Sequence, residues 1–200
     1  IRNEAIPINV YIGVDIAATA TQNSDFQVIM VIGVDSNKNR YILEYYRERI
    51  PTFDLPEQII KMARKYTPVR RVTIETVAAQ EMVRDMVTRM ASEDRRLIPG
   101  IFKGVKPPPG IKKADRLETS LGPIVNSKKL YIRREMTELV DEMFEHPVPK
   151  NDDLMDGLYY ADYYSKAPLS TAMSVGEMRA GKKKGGKLKG YYNWMTGARR

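Results

Sequence analysis

Three apolar, β-rich segments open the chain, and this pattern constrains the fold more than any other feature. They cover residues 9–16, 26–34 and 40–50, and only short polar stretches separate them. The second segment ends at the polar run 35–39, which is typical of a turn. Because strands joined by short polar turns pair with their neighbours, we predict an antiparallel meander here.

The pattern then alternates between helices and strands. Residues 51–67 carry apolar side chains at helical spacing behind Pro56, a residue suited to a first helical turn. A β-branched run over 70–78 is followed by a second helical pattern over 78–96. A strand that leads into a helix predicts a crossover connection, and hence a pair of parallel strands.

The rest of the chain completes an α/β pattern. We predict a mixed sheet of about five strands flanked by helices. The predicted elements after the second helix are a strand over 97–102, a loop over 103–113 with three prolines, a helix over 114–125 stopped by Gly122 and Pro123, a strand over 128–134, a helix over 136–146 and a last helix from residue 152.

Composition excludes several kinds of site. The chain has no cysteine and one histidine, which excludes disulfides, iron–sulfur clusters, thiol nucleophiles and zinc sites built on cysteines or on several histidines. No apolar run approaches the roughly 20 residues that cross a bilayer.

Basic charge is concentrated at the C-terminus. Residues 165–200 contain nine lysines and arginines but one acid, whereas the rest of the chain is balanced. Many glycines and few large apolar groups predict a flexible basic tail over 166–200, behind a domain over 1–165. Such a tail suits a polyanion, and we assign Lys182, Lys183 and Lys184 to DNA binding.

Acidic residues stand out at three places. Asp15 and Glu75 each end an apolar strand pattern, where a charge costs desolvation unless it is compensated. Asp152, Asp153 and Asp156 cluster where the last helix starts. Converging carboxylates need counter-charge, and their hard oxygens suit Mg²⁺ or Mn²⁺. A pair of such ions is the usual apparatus for cleaving a phosphodiester.

At this point a family resemblance becomes specific. The ordered segments 13–17 (GVDIA), 24–34, 72–80, 113–132 and 151–161 resemble the C-terminal nuclease domain of the terminase large subunit, the DNA-packaging motor of tailed phages. The resemblance implies an RNase H-like fold and a metal-dependent endonuclease that cuts concatemeric double-stranded DNA when packaging starts and ends. It also implies an upstream ATPase domain, the portal and the small terminase subunit as partners, in the host cytoplasm and not in the mature virion.

The resemblance also implies roles for individual residues. Asp15, Glu75, Asp153 and Asp156 would be catalytic and would bind two Mg²⁺ or Mn²⁺ ions, with Asp152 as a helix cap or as support for the metal. Lys113 and Arg116 match a basic pair that contacts phosphate or orients the acids. The proline loop with Lys103, Lys106 and Lys112 either reaches towards the duplex or is a stiff surface connection.

Other readings of the sequence remain open. Residues 181–188 follow a phosphate-loop pattern, but Leu188 replaces the hydroxyl residue that would hold Mg²⁺, so we expect no ATPase in this chain. Residues 15–19 partly echo the phosphate turn of actin-like and sugar kinases, but Ala17 stands where close approach to phosphate favours glycine. A junction resolvase, an integrase-type nuclease and a DNA-docking module without chemistry are the remaining alternatives.

Overall fold

The computed structural model of the protein describes residues 6–17, 26–76, 80–149, 151–168 and 191–192. The first three strands form the predicted meander. β1 (Ile8–Asp15) is antiparallel to β2 (Gln27–Asp35), which is antiparallel to β3 (Arg40–Glu48). The Asp35 carboxylate closes the β2–β3 turn by accepting the backbone N–H groups of two turn asparagines, both at 2.9 Å.

Further strands extend the sheet on both sides. β4 (Val69–Glu75) is parallel to β1, β5 (Phe102–Val105) is parallel to β4, and β6 (Leu130–Arg133) is parallel to β3. The crossover prediction is therefore confirmed. A two-residue strand, β7 (Tyr191–Tyr192), pairs with β6, giving the order β5-β4-β1-β2-β3-β6-β7. The mixed sheet is confirmed, but it has more strands than the predicted five.

Helices cover both faces of this sheet, and alternate side chains of β2 enter the two resulting cores. Ile29 and Val31 pack in the core on one face, and Val28 and Met30 in the core on the other. Burial on both faces explains why β2 is apolar throughout rather than alternating. The first core includes α1 (Leu55–Lys65) and α2 (Gln80–Glu93), and the second includes α3 (Lys113–Asn126), α4 (Thr137–Glu145) and α5 (Asp153–Asp162).

Two predicted boundaries are wrong. The strand expected over 97–102 begins only at Phe102, because Pro99–Ile101 form a short 3-10 turn instead. α3 runs through Pro123 rather than stopping there. A proline removes one helical hydrogen bond, but its fixed φ is compatible with a helix. The buried side chains of Leu121 and Ile124 anchor the turns on both sides of the proline in the core of that face.

The beginning of the predicted tail contacts β1. The Tyr11 hydroxyl donates a hydrogen bond to the Lys166 carbonyl and accepts one from the Lys166 N–H, both at 3.0 Å. Residues 169–190 and 193–200, with Lys182, Lys183 and Lys184, lie outside the described residues. The predicted boundary after residue 165 stays a prediction. No helix in the described part of the chain is long and apolar enough to cross a membrane.

Candidate active site

Two of the predicted acids lie at the ends of adjacent parallel strands. Asp15 is the last residue of β1 and Glu75 the last of β4, and the preceding residues Val14 and Ile74 are paired in the sheet. The shared strand direction brings both carboxyl groups to one edge of the sheet. Asp15 is 8% exposed and Glu75 is half-buried.

The backbone that follows Asp15 is held by a buried glutamine. The N–H of Ala17 donates a hydrogen bond to the Gln27 side-chain oxygen at 3.2 Å. The Gln27 amide nitrogen donates in turn to the Thr52 hydroxyl at 3.3 Å. Since Gln27 is fully buried, these bonds fix the direction in which the chain leaves β1.

The third acid comes from α5, which lies directly on β1 and β2. A Cβ built on Gly13 would lie 2.2 Å from the Gly157 carbonyl oxygen, and one built on Gly157 would lie 2.7 Å from Cγ1 of Val28. Only glycine permits backbones to approach this closely. The two glycines therefore bring Asp156, the residue before Gly157, to the end of β1.

Asp156 is buried between two cations of α3. Its side chain is 4% exposed, and its Oδ1 lies 2.7 Å from Nη2 of Arg116. Its Oδ2 pairs with Nζ of Lys113, which also contacts Oδ1 of Asp152 at 2.7 Å. A buried carboxylate requires such partners to offset its lost hydration.

The three acids influence one another electrostatically. Burial raises the pKa of Asp15 well above its usual value, and the charge of Asp156 and a hydrogen bond with Glu75 raise it further. Burial also raises the pKa of Asp156, although Lys113 and Arg116 oppose the shift. Burial would lower the pKa of Lys113, but the charge of Asp156 raises it above its usual value. The negative charge of Asp156 is therefore balanced by two cations, whereas the negative charge of Asp15 is balanced only in part.

A residue that the sequence did not point to caps α5. Asp152 occupies the N-cap position, but its side chain makes no capping hydrogen bond. Glu142 of α4 instead accepts the backbone N–H groups of Leu154 and Met155, at 3.0 and 3.2 Å. The capping role predicted for Asp152 is therefore wrong, since its carboxylate pairs with Lys113 instead.

The remaining acids of α5 pair with arginines of β3. Asp153 lies 3.7 Å from Nη2 of Arg47. Asp162, at the other end of the helix, lies 2.9 Å from Nε of Arg40. Ion pairs and the Glu142 cap thus hold α5 at both of its ends.

The three acids Asp15, Glu75 and Asp156 line one cleft of about 450 Å³. One wall consists of the predicted proline loop, Pro107, Pro108 and Pro109, and Phe26 lies at the cleft on the β2 side. The charged residues that line the cleft are Asp15, Glu75, Asp153, Asp156, Lys113 and Arg116.

The other predicted DNA-binding lysines of the described region flank the three prolines in the chain. Lys103, Lys106 and Lys112 are exposed, and Nζ of Lys106 lies 3.6 Å from Glu81. Arg116 is buried against Asp156, which fits the role of orienting the acid better than contact with phosphate. Lys113 is half-exposed and can serve either role.

The resemblance implies a bound metal, and the acids of the cleft can be tested for their fit to it. Within the residues that the structure describes, no three acids or histidines are already arranged as a metal site. Asp156 faces Lys113 and Arg116, whereas Asp15 is hydrogen-bonded to Glu75 and receives only partial counter-charge from Lys113. Buried carboxylates that lack full counter-charge fit the chemistry of Mg²⁺ or Mn²⁺.

Sequence reasoning missed several residues that build this site. Gly13 and Gly157 set the approach of α5, Glu142 caps it, and Gln27 holds the chain after Asp15. The fully buried Tyr160 was missed as well, and burial together with the charge of Glu75 raises the pKa of its hydroxyl. In the sequence only Gly13, inside an apolar strand, signalled this packing, because a glycine there indicates that another backbone approaches closely.

A mixed sheet with acids at the ends of two parallel strands, and a third acid on a helix packed across them, is the arrangement of the RNase H-like class. The model of the terminase RNase H-like domain family matches residues 12–162. The chain belongs to this family, and the site lies within the C-terminal nuclease domain of a terminase.

Solved structures agree with this fold. The large terminase nuclease from thermophilic phage G20c with bound zinc is 16% identical, with a TM-score of 0.58 over 82% of this chain and 86% of that one. A second structure of that nuclease is 14% identical, with a TM-score of 0.55 over 82% and 87% of the two chains. The yeast mitochondrial Holliday junction resolvase Ydc2 is 12% identical, with a TM-score of 0.51 over 78% of each chain. Among curated proteins, none matches the chain.

Proposed function

We propose that this chain is a metal-dependent endodeoxyribonuclease that cuts concatemeric viral DNA when genome packaging begins and when it is completed. The observation that carries the proposal is the convergence of Asp15, Glu75 and Asp156 in one cleft of a terminase RNase H-like domain. Double-stranded DNA is the proposed substrate. The proposed partners are an upstream ATPase domain, the portal and the small terminase subunit, in the host cytoplasm.

The proposed reaction is hydrolysis of a phosphodiester. Asp15, Glu75 and Asp156 would hold Mg²⁺ or Mn²⁺, with Asp153 further along the cleft wall. When bound, such ions supply activation of water and stabilisation of the leaving oxygen. Lys113 and Arg116 hold Asp156 in place, so that its buried carboxylate keeps one orientation towards β1.

The proposal is tested by cleavage of supercoiled plasmid DNA in EDTA, Mg²⁺ and Mn²⁺. We expect cutting only with the metals, and losses greater than about a hundredfold in Asp15→Asn, Glu75→Gln and Asp156→Asn, because each removes a charge that the transition state needs. Asp141→Asn, at an exposed acid of α4, is the matched control and should cut like wild type. Cutting in EDTA, or by Asp15→Asn at the wild-type rate, would refute the proposal.

The same protein and the same cleavage assay distinguish two alternative functions. The fold shared with a Holliday junction resolvase favours a branched substrate as the second candidate. Cutting of a four-way junction with little cutting of linear duplex would support it. Retardation of DNA without cutting, at any Mn²⁺ concentration, would indicate a docking module without chemistry.

A further inference from the structure

The predicted DNA-binding lysines of the described region flank, in the chain, the proline wall of the cleft formed by Pro107, Pro108 and Pro109. A duplex that lies across the acids needs positive charge on the opposite side as well. Phe26 borders the cleft there, because it immediately precedes β2, whereas the proline wall follows β5 on the far side of β1 and β4.

Arg47 of β3 and Arg49, the residue after β3, both stack on Phe26. The guanidinium carbons of Arg47 and Arg49 lie 4.0 and 4.3 Å from the centre of the Phe26 ring. The pairing of Gln27 with Glu48 explains the contact, because continuing this register by one residue places Phe26 across from Arg49.

The two arginines differ in what else they contact. The guanidinium of Arg47 is buried and lies 3.6 to 3.7 Å from the carboxylates of Glu138, Glu142 and Asp153. Its charge is therefore already compensated. Arg49 is exposed and forms no ion pair with any residue that the structure describes.

Stacking prepares Arg49 to bind an anion. A guanidinium that lies over an aromatic ring uses its face, so the N–H donors on its edge remain available for the two oxygens of a phosphate. The ring also restricts the side chain before a ligand arrives, which lowers the entropic cost of binding.

We propose that Arg49, held by Phe26, binds a backbone phosphate of the DNA on the side of the cleft opposite the proline wall. In this arrangement Arg47 fixes the phenylalanine and Asp153 but does not itself contact phosphate. The inference rests on the proposed function, since it takes DNA as the substrate.

Binding is measured without cutting, by fluorescence anisotropy of a labelled 30-base-pair duplex of mixed sequence in EDTA at several salt concentrations. We expect Arg49→Ala to weaken binding several-fold and to reduce the slope of log affinity against log salt by about 0.9, the value for one lost phosphate contact. Arg49→Lys should keep most of the slope while losing part of the affinity, because it keeps the charge but not the planar fork. Phe26→Leu should weaken binding without abolishing the slope.

The matched control is Arg95→Ala. Arg95 is also exposed, but it follows α2 at the opposite end of the sheet from the acids. The Arg95→Ala variant should bind the duplex with the wild-type affinity and the wild-type salt slope. Equal effects of Arg49→Ala and Arg95→Ala would overturn the inference, provided that circular dichroism shows both variants folded.

Plasmid cleavage by the wild type distinguishes the two proposals. If the wild type cuts with Mn²⁺ while Arg49→Ala binds normally, the inference fails and the proposed function stands. If the wild type binds but never cuts, and Arg49→Ala binds weakly, the phosphate contact stands and the nuclease function fails. A wild type that neither binds the duplex in EDTA nor cuts plasmid DNA with Mn²⁺ would overturn both.

Discussion

Gly13 of β1 and Gly157 of α5 meet backbone to backbone. A Cβ on Gly13 would lie 2.2 Å from the Gly157 carbonyl oxygen and 2.1 Å from the Ala161 amide nitrogen. Neither obstacle is a flexible side chain that could move aside. Any side chain at residue 13 must therefore displace α5, and Asp156 with it.

We accordingly expect Gly13→Ala to lower the free energy of unfolding by about 1–3 kcal/mol, as overpacking of a close-packed interior does. Urea unfolding measures the change. Gly100→Ala is the control, because no atom lies within 4 Å of a Cβ at Gly100, and its effect should stay within about 0.5 kcal/mol. If the two variants are equally stable, the approach of α5 to β1 is looser than described.

Arg116 and Asp156 provide a second test, because their side chains are only 9% and 4% exposed. Arg116→Met leaves a buried carboxylate with Lys113 as its remaining cation, and we expect a loss of about 3 kcal/mol in stability. Adding Asp156→Asn should recover part of that loss, which a double-mutant cycle measures.

A matched ion pair gives the control for this experiment. Arg64 pairs with Asp94, but the arginine side chain is 44% exposed. Arg64→Met should therefore cost no more than about 1 kcal/mol. Equal losses at Arg64 and Arg116, or no coupling between Arg116 and Asp156, would contradict a buried pair that holds the acid.

The cap of α5 predicts a pH dependence of stability. Burial raises the pKa of Glu142 from 4.5 to about 7, against the backbone N–H of Met155 and the charge of Arg47. Between these values the folded state holds a proton that the unfolded chain releases, so the free energy of unfolding falls as pH rises from 4.5 to about 7. The full gap is worth on the order of 3 kcal/mol.

Glu142→Gln should remove this component, because an amide oxygen can still accept the two N–H groups but does not titrate. We expect the variant to lose less stability than wild type between pH 5 and pH 8, as measured by urea unfolding. Glu138→Gln changes an acid of the same helix whose side chain is 56% exposed, and it should keep the wild-type pH dependence. A parallel pH profile for wild type and Glu142→Gln would refute the assignment.

Asp153 and Asp156 can be ranked by their surroundings. Asp156 lies close enough to Asp15 to raise the pKa of Asp15, whereas the carboxylate of Asp153 lies 3.7 Å from the guanidinium of Arg47. We expect Asp156→Asn to weaken Mn²⁺ binding, followed by calorimetry, by at least about tenfold more than Asp153→Asn. The reverse order would indicate that the metal binds nearer to Asp153 than to Asp156.

Local patterns predicted the parts of the fold that local chemistry determines. The meander follows from short polar turns such as the one closed by Asp35, and the crossover follows from a strand leading into a helix. The position of Asp15 and Glu75 at strand ends was visible because each acid interrupts an apolar run. Such signals extend over a few residues, so a sequence displays them directly.

Long-range contacts determined what could not be predicted. The cap of α5 comes from Glu142 on another helix, so the helix start pointed to Asp152 instead. α3 continues through Pro123 because the buried residues on both sides of it pack in the core. Packing across the sheet overrides a local stop signal when it stabilises the helix by more than one hydrogen bond.

The attachment of α5 to β3 has a consequence for the order in which the protein becomes functional. Arg40 and Asp162 pair across 122 residues of sequence, and α5 carries Asp156 between that pair and the Glu142 cap. During synthesis Asp15 and Glu75 emerge early, but the helix that brings the third acid comes last among the described helices. A nascent chain, or one truncated before residue 153, therefore has two acids and an uncovered sheet face, and we expect it not to cut DNA until α5 docks.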